Sequence, residues 1–379
     1  FVKKMEQLGL RTEKGFAITG VKAYLNEDKK ENASLALLGE LDALRIPEHA
    51  FANPETNAAH CCGHHAQMAG VFGAALALTV PEIAEKLDGQ VVFFATPAEE
   101  YGEIEFKNQL REQGKIRYGG GKCELLRIGA FDDIDLCLTH HIRPGNEILV
   151  GSGTGNGFVS KVIRVLGKAS HAAGAPEKGV NALSAASLGL QALGLNRETF
   201  RDEDCVRVHP IITKGGNLVN VIPDEVVVET LVRGKTIEAF TDAAKKTDRS
   251  FKAGAIAMGA KVEISTLPGY LPTLAEEALP ELKNAAEISA SGIPVIEASG
   301  HAGGSTDVGD VQHLMPVYTF NTGGVKGGLH QIDFEVTDEE EAYIVTAKMF
   351  ALAAYGLLKE KAQRSRELVD QYEPVFKNS

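Results

Sequence analysis

A cysteine and a histidine on either side of a glycine are the first residues whose types and spacing could do chemistry. Cys62 and His64 lie in the segment 59–65, which reads AHCCGHH, at a predicted junction between a strand and a helix. Thiolate and imidazole are preferred ligands of zinc and similar divalent metals. A small buried cysteine beside a histidine that caps a helix would explain the same tripeptide without a metal. The segment alone leaves both interpretations open.

Two adjacent glutamates, Glu99 and Glu100, follow an apolar run at residues 90–95. Like charges at this spacing repel, so the pair is unfavourable as a purely structural device. A metal on one carboxylate relieves the repulsion, and the other can then act as general base on a water molecule at the metal. A solvated loop end is the alternative interpretation of the pair.

Three further candidate residues follow other predicted elements. His141 comes after the apolar run 135–138, His330 follows the glycine-rich turn 323–328, and Asp42 follows the apolar run 35–38. A lone histidine is more often structural than a ligand, and Asp42 either orients a ligand histidine or caps a turn. Cysteine, glutamate and the histidines together make five ligands, about the number that two metal ions ~3.5–4 Å apart require besides water. The candidate ligands are Cys62, His64, Glu100, His141 and His330.

The elements that must position these residues alternate between apolar strands and helices, such as the predicted helix 66–78. Continuous apolar strands of this kind are typical of a parallel or mixed sheet that is covered on both faces. Ligands of such sheets bind beyond the carboxyl ends of the strands, where these acidic and histidine residues occur.

The middle of the chain has the order β-α-β-β-α-β, which is typical of a ferredoxin-like unit. The sequence therefore predicts an α/β protein of two domains. A mixed, mostly parallel sheet covered by helices forms the catalytic domain, residues 1–156 and 268–379. An inserted ferredoxin-like lid and dimerisation domain comprises residues 157–267. Its His171 is either an ordinary loop residue or a donor that stabilises an oxyanion.

Bulk composition limits the classes of partner. The 379 residues carry a formal net charge of -12, which argues against nucleic acid or an anionic membrane as partner. The five cysteines are odd in number and irregularly spaced, so we expect no disulfide framework and a cytoplasmic location. No window approaches the ~20 uninterrupted apolar residues of a membrane span. The chain begins at Phe1 without an initiator methionine, and we expect that preceding residues are missing.

Eight short motifs occur in an order that is specific as a series. The motifs are GELDAL (39–44), HCCGH (60–64), PAEE (97–100), HIRP (141–144), GKASHAA (167–173), NVIPDE (220–225), STDVGD (305–310) and GLH (328–330). By these motifs, nearly the whole chain resembles the metallo-aminoacylase/carboxypeptidase family. Within that family, it is most similar to the amidohydrolase branch that contains p-aminobenzoyl-glutamate hydrolase, hippurate hydrolase and auxin-conjugate hydrolases.

The resemblance implies a role for each matching residue. Cys62 would bridge two divalent metal ions, the other four candidate ligands would complete the coordination, and Glu99 would be the general base that later protonates the leaving amine. His171 would stabilise the oxyanion across a homodimer formed by the inserted domain. Asn220 would lie near the substrate, and Arg233 would either pair with a substrate carboxylate or form a salt bridge at a strand end.

The function that the resemblance implies is hydrolysis of the amide bond of a small N-acyl or N-aroyl amino acid. A metallo-exopeptidase acting on dipeptides and a metal-binding protein without turnover are the alternatives. Thiolate and imidazole ligands favour zinc and carboxylates tolerate manganese, so zinc, manganese and cobalt all stay open. The chain departs from the branch at His65 and Gln67, and by an insertion at residues 101–118 that we expect to line the substrate pocket.

Overall fold

The computed structural model describes residues 1–290 and 292–376. These residues divide into two compact units. The first comprises Phe1–Thr154, Thr273–His301 and Thr306–Ser379, and the second comprises Gly155–Pro272 and Ala302–Ser305.

The strands in the first part of the chain are β1 (Arg11–Phe16), β2 (Gly20–Leu25), β3 (Ser34–Glu40), β4 (Leu44–Arg45), β5 (Ala58–Ala59), β6 (Gln90–Thr96), β7 (Leu136–Ile142), β8 (Ile148–Val150) and β9 (Thr154–Gly155). Those that follow are β10 (Gly157–Leu166), β11 (Arg207–Val208), β12 (Ile211–Lys214), β13 (Glu225–Gly234), β14 (Lys261–Pro268), β15 (Val295–Glu297), β16 (His301–Ala302), β17 (Val317–Thr322), β18 (Val325–Lys326) and β19 (Glu335–Val336). The helices are α1 (Val2–Gln7), α2 (His64–Leu78), α3 (Pro81–Ala84), α4 (Ile104–Glu112), α5 (Gly121–Arg127), α6 (Ala182–Asn196), α7 (Ile237–Ala257), α8 (Pro280–Ser289), α9 (Val308–Gln312) and α10 (Thr346–Gln371).

An eight-stranded mixed sheet organises the first unit, in the order β1-β2-β6-β3-β7-β17-β8-β15. Its four central strands, β6, β3, β7 and β17, run parallel to one another. Every residue of β3 and β6 is buried, as expected for strands covered on both faces. The prediction of a mixed, mostly parallel sheet is confirmed.

Alternate residues of the central strands supply two different hydrophobic cores, because successive side chains of a strand point to opposite faces. Leu35 and Leu37 of β3 pack in one core with residues of α2, α8 and α10. Ala36 and Leu38 pack in the other with residues of α5 and α9, including Leu125. The sheet is therefore covered by helices on both faces, as the sequence predicts.

The C-terminal helical segment is longer than the predicted helix 338–358. A π-helical stretch, Glu340–Val345, precedes α10, and the helix is interrupted by non-helical dihedral angles at residues 359–362. Together these residues form the only helix among the described residues that could span a membrane by length and composition. More than half of its most apolar window (56%) is buried within the protein, as in the core helix of a globular unit.

The second unit has the β-α-β-β-α-β order that the sequence predicts. Its main sheet runs β11-β13-β10-β14, with β12 also paired to β13, and all of these pairings are antiparallel. Burial alternates strictly along β13, which is typical of an antiparallel sheet with one covered face. Val226 and Val228 on the covered face pack against residues of α6 and α7, including Phe251.

Glu276 in the first unit predicts a pH-dependent stability. Burial raises the pKa of this carboxyl to about 8, although the Thr319 amide donates a hydrogen bond to it. A group with a raised folded-state pKa stabilises the protein below its unfolded-state pKa of about 4.3, and this contribution is lost as the pH rises through 8. We expect the free energy of unfolding of Glu276→Gln to fall less between pH 5 and pH 9 than that of the wild type. Urea titrations measure both slopes, and equal slopes would contradict the prediction, with the exposed Glu277→Gln as control.

Candidate metal centre and active site

The carboxyl ends of three neighbouring parallel strands deliver the acidic and histidine side chains of the site. Glu40 is the last residue of β3, Glu99 and Glu100 follow β6, and His141 lies one residue before the end of β7. His64 is the first residue of α2. The predicted strand ends therefore do converge in one place.

Gly63 between the cysteine and the histidine is required by the local backbone. Its φ is +90°, and a Cβ atom at this position would lie 2.1 Å from the Ile142 side chain. A residue with a side chain would be strained and would displace Ile142. Glycine thereby allows Cys62 and His64 to face the same space.

Two groups of candidate ligands share Cys62. The first contains Cys62, His64 and His141, and the second contains Cys62, Glu100 and His330. Within each group, the ligand atoms all lie within 4.8 Å of one another. The Cys62 Sγ atom is 3.4 Å from His141 Nε2 and 3.2 Å from His330 Nε2, which is itself 3.0 Å from Glu100 Oε1. The structure thus brings together all five ligands that the sequence predicts.

Two buried atoms at this site test whether the residues fit a metal. His64 Nε2 and Glu100 Oε1 are buried, and neither has a hydrogen-bond partner within the described part of the chain. Buried polar atoms are normally satisfied, so a pair without partners in a cluster of ligand types indicates a missing ligand. Thiolate, imidazole and carboxylate are the donors that zinc accepts. The residues present therefore fit divalent metal ions.

Asp42 orients His64, as one of its two predicted roles requires. Its Oδ1 atom is 3.3 Å from His64 Nδ1, and its Oδ2 atom accepts a hydrogen bond of 2.7 Å from the Glu100 amide. Burial opposes ionisation of Asp42, but the bonds to His64 and to the amides outweigh it and lower its pKa to about 2. The contact occupies Nδ1 of His64 and leaves Nε2 directed at the candidate centre.

Glu99 belongs to neither of the groups that share Cys62. Its Oε2 atom lies 3.9 Å from His64 Nε2, so the carboxylate is next to the centre without being one of the five predicted ligands. Burial, followed by the charges of Glu40 and Asp307, raises the pKa of Glu99 well above its usual range.

A buried cluster of three charged side chains underlies the site and was not predicted. The Lys122 ammonium, with no exposed surface, lies 2.5 Å from Glu40 Oε1 and 2.7 Å from Asp307 Oδ1. The other carboxylate oxygen of Glu40 is 3.1 Å from His64 Nε2. We refer to Lys122, Glu40 and Asp307 as the buried triad. Glu40 and Asp307 each lie in a motif noted in the sequence, but Lys122 carried no signal of its own.

The two residues that depart from the family pattern have separate roles. The His65 ring packs 5.6 Å from that of His60 and 6.0 Å from that of Tyr343, and burial lowers the pKa of His65 to about 4. His65 is in none of the ligand groups of the described residues. Gln67 accepts a hydrogen bond from the Glu40 amide and donates one to the His140 carbonyl, which ties β3 to β7.

The other three predicted site residues lie in the second unit. His171 is exposed, and its Nδ1 atom accepts a hydrogen bond of 3.0 Å from the Gly174 amide. The Asn220 carbonyl accepts a hydrogen bond of 3.0 Å from the Ala172 amide, so Asn220 and His171 are neighbours. Arg233 in β13 lies over the Phe158 ring, 5.8 Å from its centre.

The insertion contains helix α4 and places one lysine beside the metal-centre residues. Lys107 Nζ donates a hydrogen bond of 2.7 Å to the Glu100 carbonyl oxygen and lies 5.0 Å from the centre of the Tyr101 ring.

Comparisons with known proteins agree with this arrangement. The mouse Xaa-Arg dipeptidase is 29% identical over 325 residues, which cover 84% of this chain and 68% of the dipeptidase. One of the polypeptides of p-aminobenzoyl-glutamate hydrolase from Escherichia coli is 30% identical over 61% of this chain and 44% of its own. A dinuclear metal-binding peptidase of Bacillus subtilis has a similar fold, with a TM-score of 0.64 and 24% identity over 94% of this chain and 90% of its own.

A family model covers most of the chain and defines its class. Residues 36–355 match the model of peptidase family M20/M25/M40, whose members are hydrolases of C–N bonds. The chain belongs to this family. The matches to both a dipeptidase and an aminobenzoyl-glutamate hydrolase confirm the family that the motif series indicates, including its amidohydrolase branch.

Proposed function

We propose that this chain hydrolyses the amide bond of N-acyl or N-aroyl amino acids, with two divalent metal ions and Glu99 as general base. One observation carries the proposal, namely that Cys62 belongs to two separate groups of candidate ligands. A thiolate shared by two ligand groups is the arrangement that a two-metal centre needs. The chemistry of Glu99 beside these groups then gives the site a base.

Each group would hold one ion, with Cys62 common to both. His64 and His141 would complete the first set, and Glu100 and His330 would complete the second. When bound, the ions supply Lewis-acid activation of water and of the amide carbonyl. Zinc fits the thiolate and imidazole donors, and manganese and cobalt are the other candidates.

Glu99 would move the proton during the reaction. Its carboxylate accepts a proton from the attacking water and then donates it to the nitrogen of the leaving amine. The 3.9 Å between Glu99 Oε2 and His64 Nε2 places the carboxylate close enough to the centre for this transfer without making it one of the five proposed ligands.

For the second unit, we propose the roles that the family resemblance implies. His171 stabilises the oxyanion, Asn220 contacts the substrate, and Arg233 pairs with a substrate carboxylate. We also propose that this unit forms a homodimer. The edge strand β12 is exposed along its whole length, including Ile211 and Ile212, and such an edge is a template for pairing with another chain.

A metallo-exopeptidase that acts on dipeptides is the second candidate function, and the similarity to the Xaa-Arg dipeptidase favours it. The same metal chemistry would serve both reactions, and only the substrate pocket would differ. The two functions therefore share every ligand named above.

A hydrolysis screen separates the candidates. Purified protein loaded with zinc or manganese is incubated with N-acetyl, N-benzoyl and p-aminobenzoyl amino acids and with dipeptides, and the released amine is measured. We expect cleavage of the acyl or aroyl amino acids. Cleavage of dipeptides alone would support the exopeptidase, and cleavage of none with metal bound would support a metal-binding protein without turnover.

A further inference from the structure

The insertion at residues 101–118 is held firmly at its two ends. At its start, the Tyr101 ring packs so closely against Gly119 that a Cβ atom there would lie 2.7 Å from the ring. At its end, the buried Glu124 carboxylate accepts hydrogen bonds of 3.0 and 3.1 Å from the amides of Arg117 and Tyr118. The insertion thus closes on itself beside Glu100, and α4 lies between these two anchors.

Lys107 is the residue through which α4 reaches the proposed metal ligands. Its ammonium donates to the Glu100 carbonyl, and the carboxylates of Asp42, Glu99 and Glu100 are near enough to influence it. Burial nevertheless outweighs these charges and lowers the pKa of Lys107.

The Lys107 ammonium has donor capacity left at this position. An ammonium has three donors, and one of them is used by Glu100. Lys107 makes no ion pair within 4.0 Å to any residue in the described ranges. Burying a cation without a partner is costly, so an anion that arrives beside it gains a charge-assisted hydrogen bond.

We propose that Lys107 is a specificity-determining residue that binds a carboxylate of the substrate beside the metal centre. The inference rests on the proposed hydrolysis of acyl amino acids, because such substrates carry a carboxylate near the scissile amide. The insertion thereby gives this chain a cation for substrate recognition in addition to Arg233. Amino acids with acidic side chains carry two carboxylates, and one cation is then present for each.

The experiment compares the metal-loaded wild type with Lys107→Met on three matched substrates. N-acetyl-glutamate carries both carboxylates, N-acetyl-glutamine lacks the side-chain carboxylate, and the α-amide of N-acetyl-glutamate lacks the other. We expect the wild type to prefer N-acetyl-glutamate over one of the two amides by about 10- to 100-fold in kcat/KM, the range of a charged hydrogen bond. Lys107→Met should lose that preference, and Lys107→Arg should keep most of it.

A binding measurement separates recognition from a structural role of Lys107. Glutarate is titrated by calorimetry into metal-loaded Glu99→Gln enzyme, with and without Lys107→Met, and we expect about tenfold weaker binding without the lysine. Lys115→Met is the matched control, because Lys115 is an exposed lysine of the same insertion. An equal loss of kcat/KM on all three substrates, or unchanged glutarate affinity, would overturn the proposal.

Failure of the proposed function would look different. In that case the wild type would cleave none of the three substrates, and the glutarate titration would still decide whether Lys107 binds a carboxylate.

Discussion

Glu99→Gln lowers kcat about 10²- to 10⁴-fold, the usual contribution of a general base, while both metal ions stay bound. Glutamine keeps the size of the side chain but cannot take a proton from water. Because Glu99 lies outside the two groups that share Cys62, its replacement removes none of the five proposed ligands. Steady-state kinetics on the best acyl amino acid, with metal content measured on the same samples, tests this expectation.

The matched control is Glu103→Gln, an exposed glutamate four residues away. It changes the net charge by the same amount and should leave kcat unchanged. If Glu99→Gln turned over at close to the wild-type rate with metals bound, Glu99 would not be the base. A loss of metal together with activity would instead make Glu99 part of the coordination.

Lys122→Met destabilises the protein by about 3–5 kcal/mol, the cost of removing one partner from a buried ion pair. The substitution leaves Glu40 and Asp307 facing each other, both buried, with no cation between them. Urea unfolding at pH 7 measures the loss, and we expect the exposed Lys3→Met to unfold like the wild type.

A second variant distinguishes the missing charge from the missing packing. Lys122→Met combined with Glu40→Gln and Asp307→Asn removes all three charges of the buried triad. Buried charges can often be replaced together by neutral groups at little cost, so the triple variant should recover much of the lost stability. An unchanged unfolding midpoint for Lys122→Met alone would show that the triad does not stabilise this fold.

The sequence predicts the central strands well, because both faces of these strands are covered. The runs 35–38 and 90–95 are continuously apolar, and both lie within the observed strands β3 and β6. The third run is less complete, since β7 continues through His140 to Ile142. His140 is buried in the strand because Thr322 satisfies its Nε2 atom at 2.8 Å, a partner 182 residues away that no local pattern announces.

The candidate ligands were predictable because metals accept few residue types, and these types follow apolar strands that end at one edge. The buried triad was not predictable for the opposite reason. Lysine is usually exposed, and nothing near Lys122 in the sequence indicates that Glu40 and Asp307, 82 and 185 residues away, surround it. The direction of the Lys107 side chain likewise depends on how the insertion closes.

The most direct test of the two-metal account is a titration of metal-free protein with zinc or manganese. Bound metal is counted by elemental analysis, and hydrolysis of an acyl amino acid is followed at each step. The account predicts that two ions bind per chain, and that Cys62→Ala weakens the binding of both because Cys62 is common to the two groups. Full hydrolytic activity in protein that binds no metal, or a Cys62→Ala variant that binds two ions as tightly as the wild type, would contradict it.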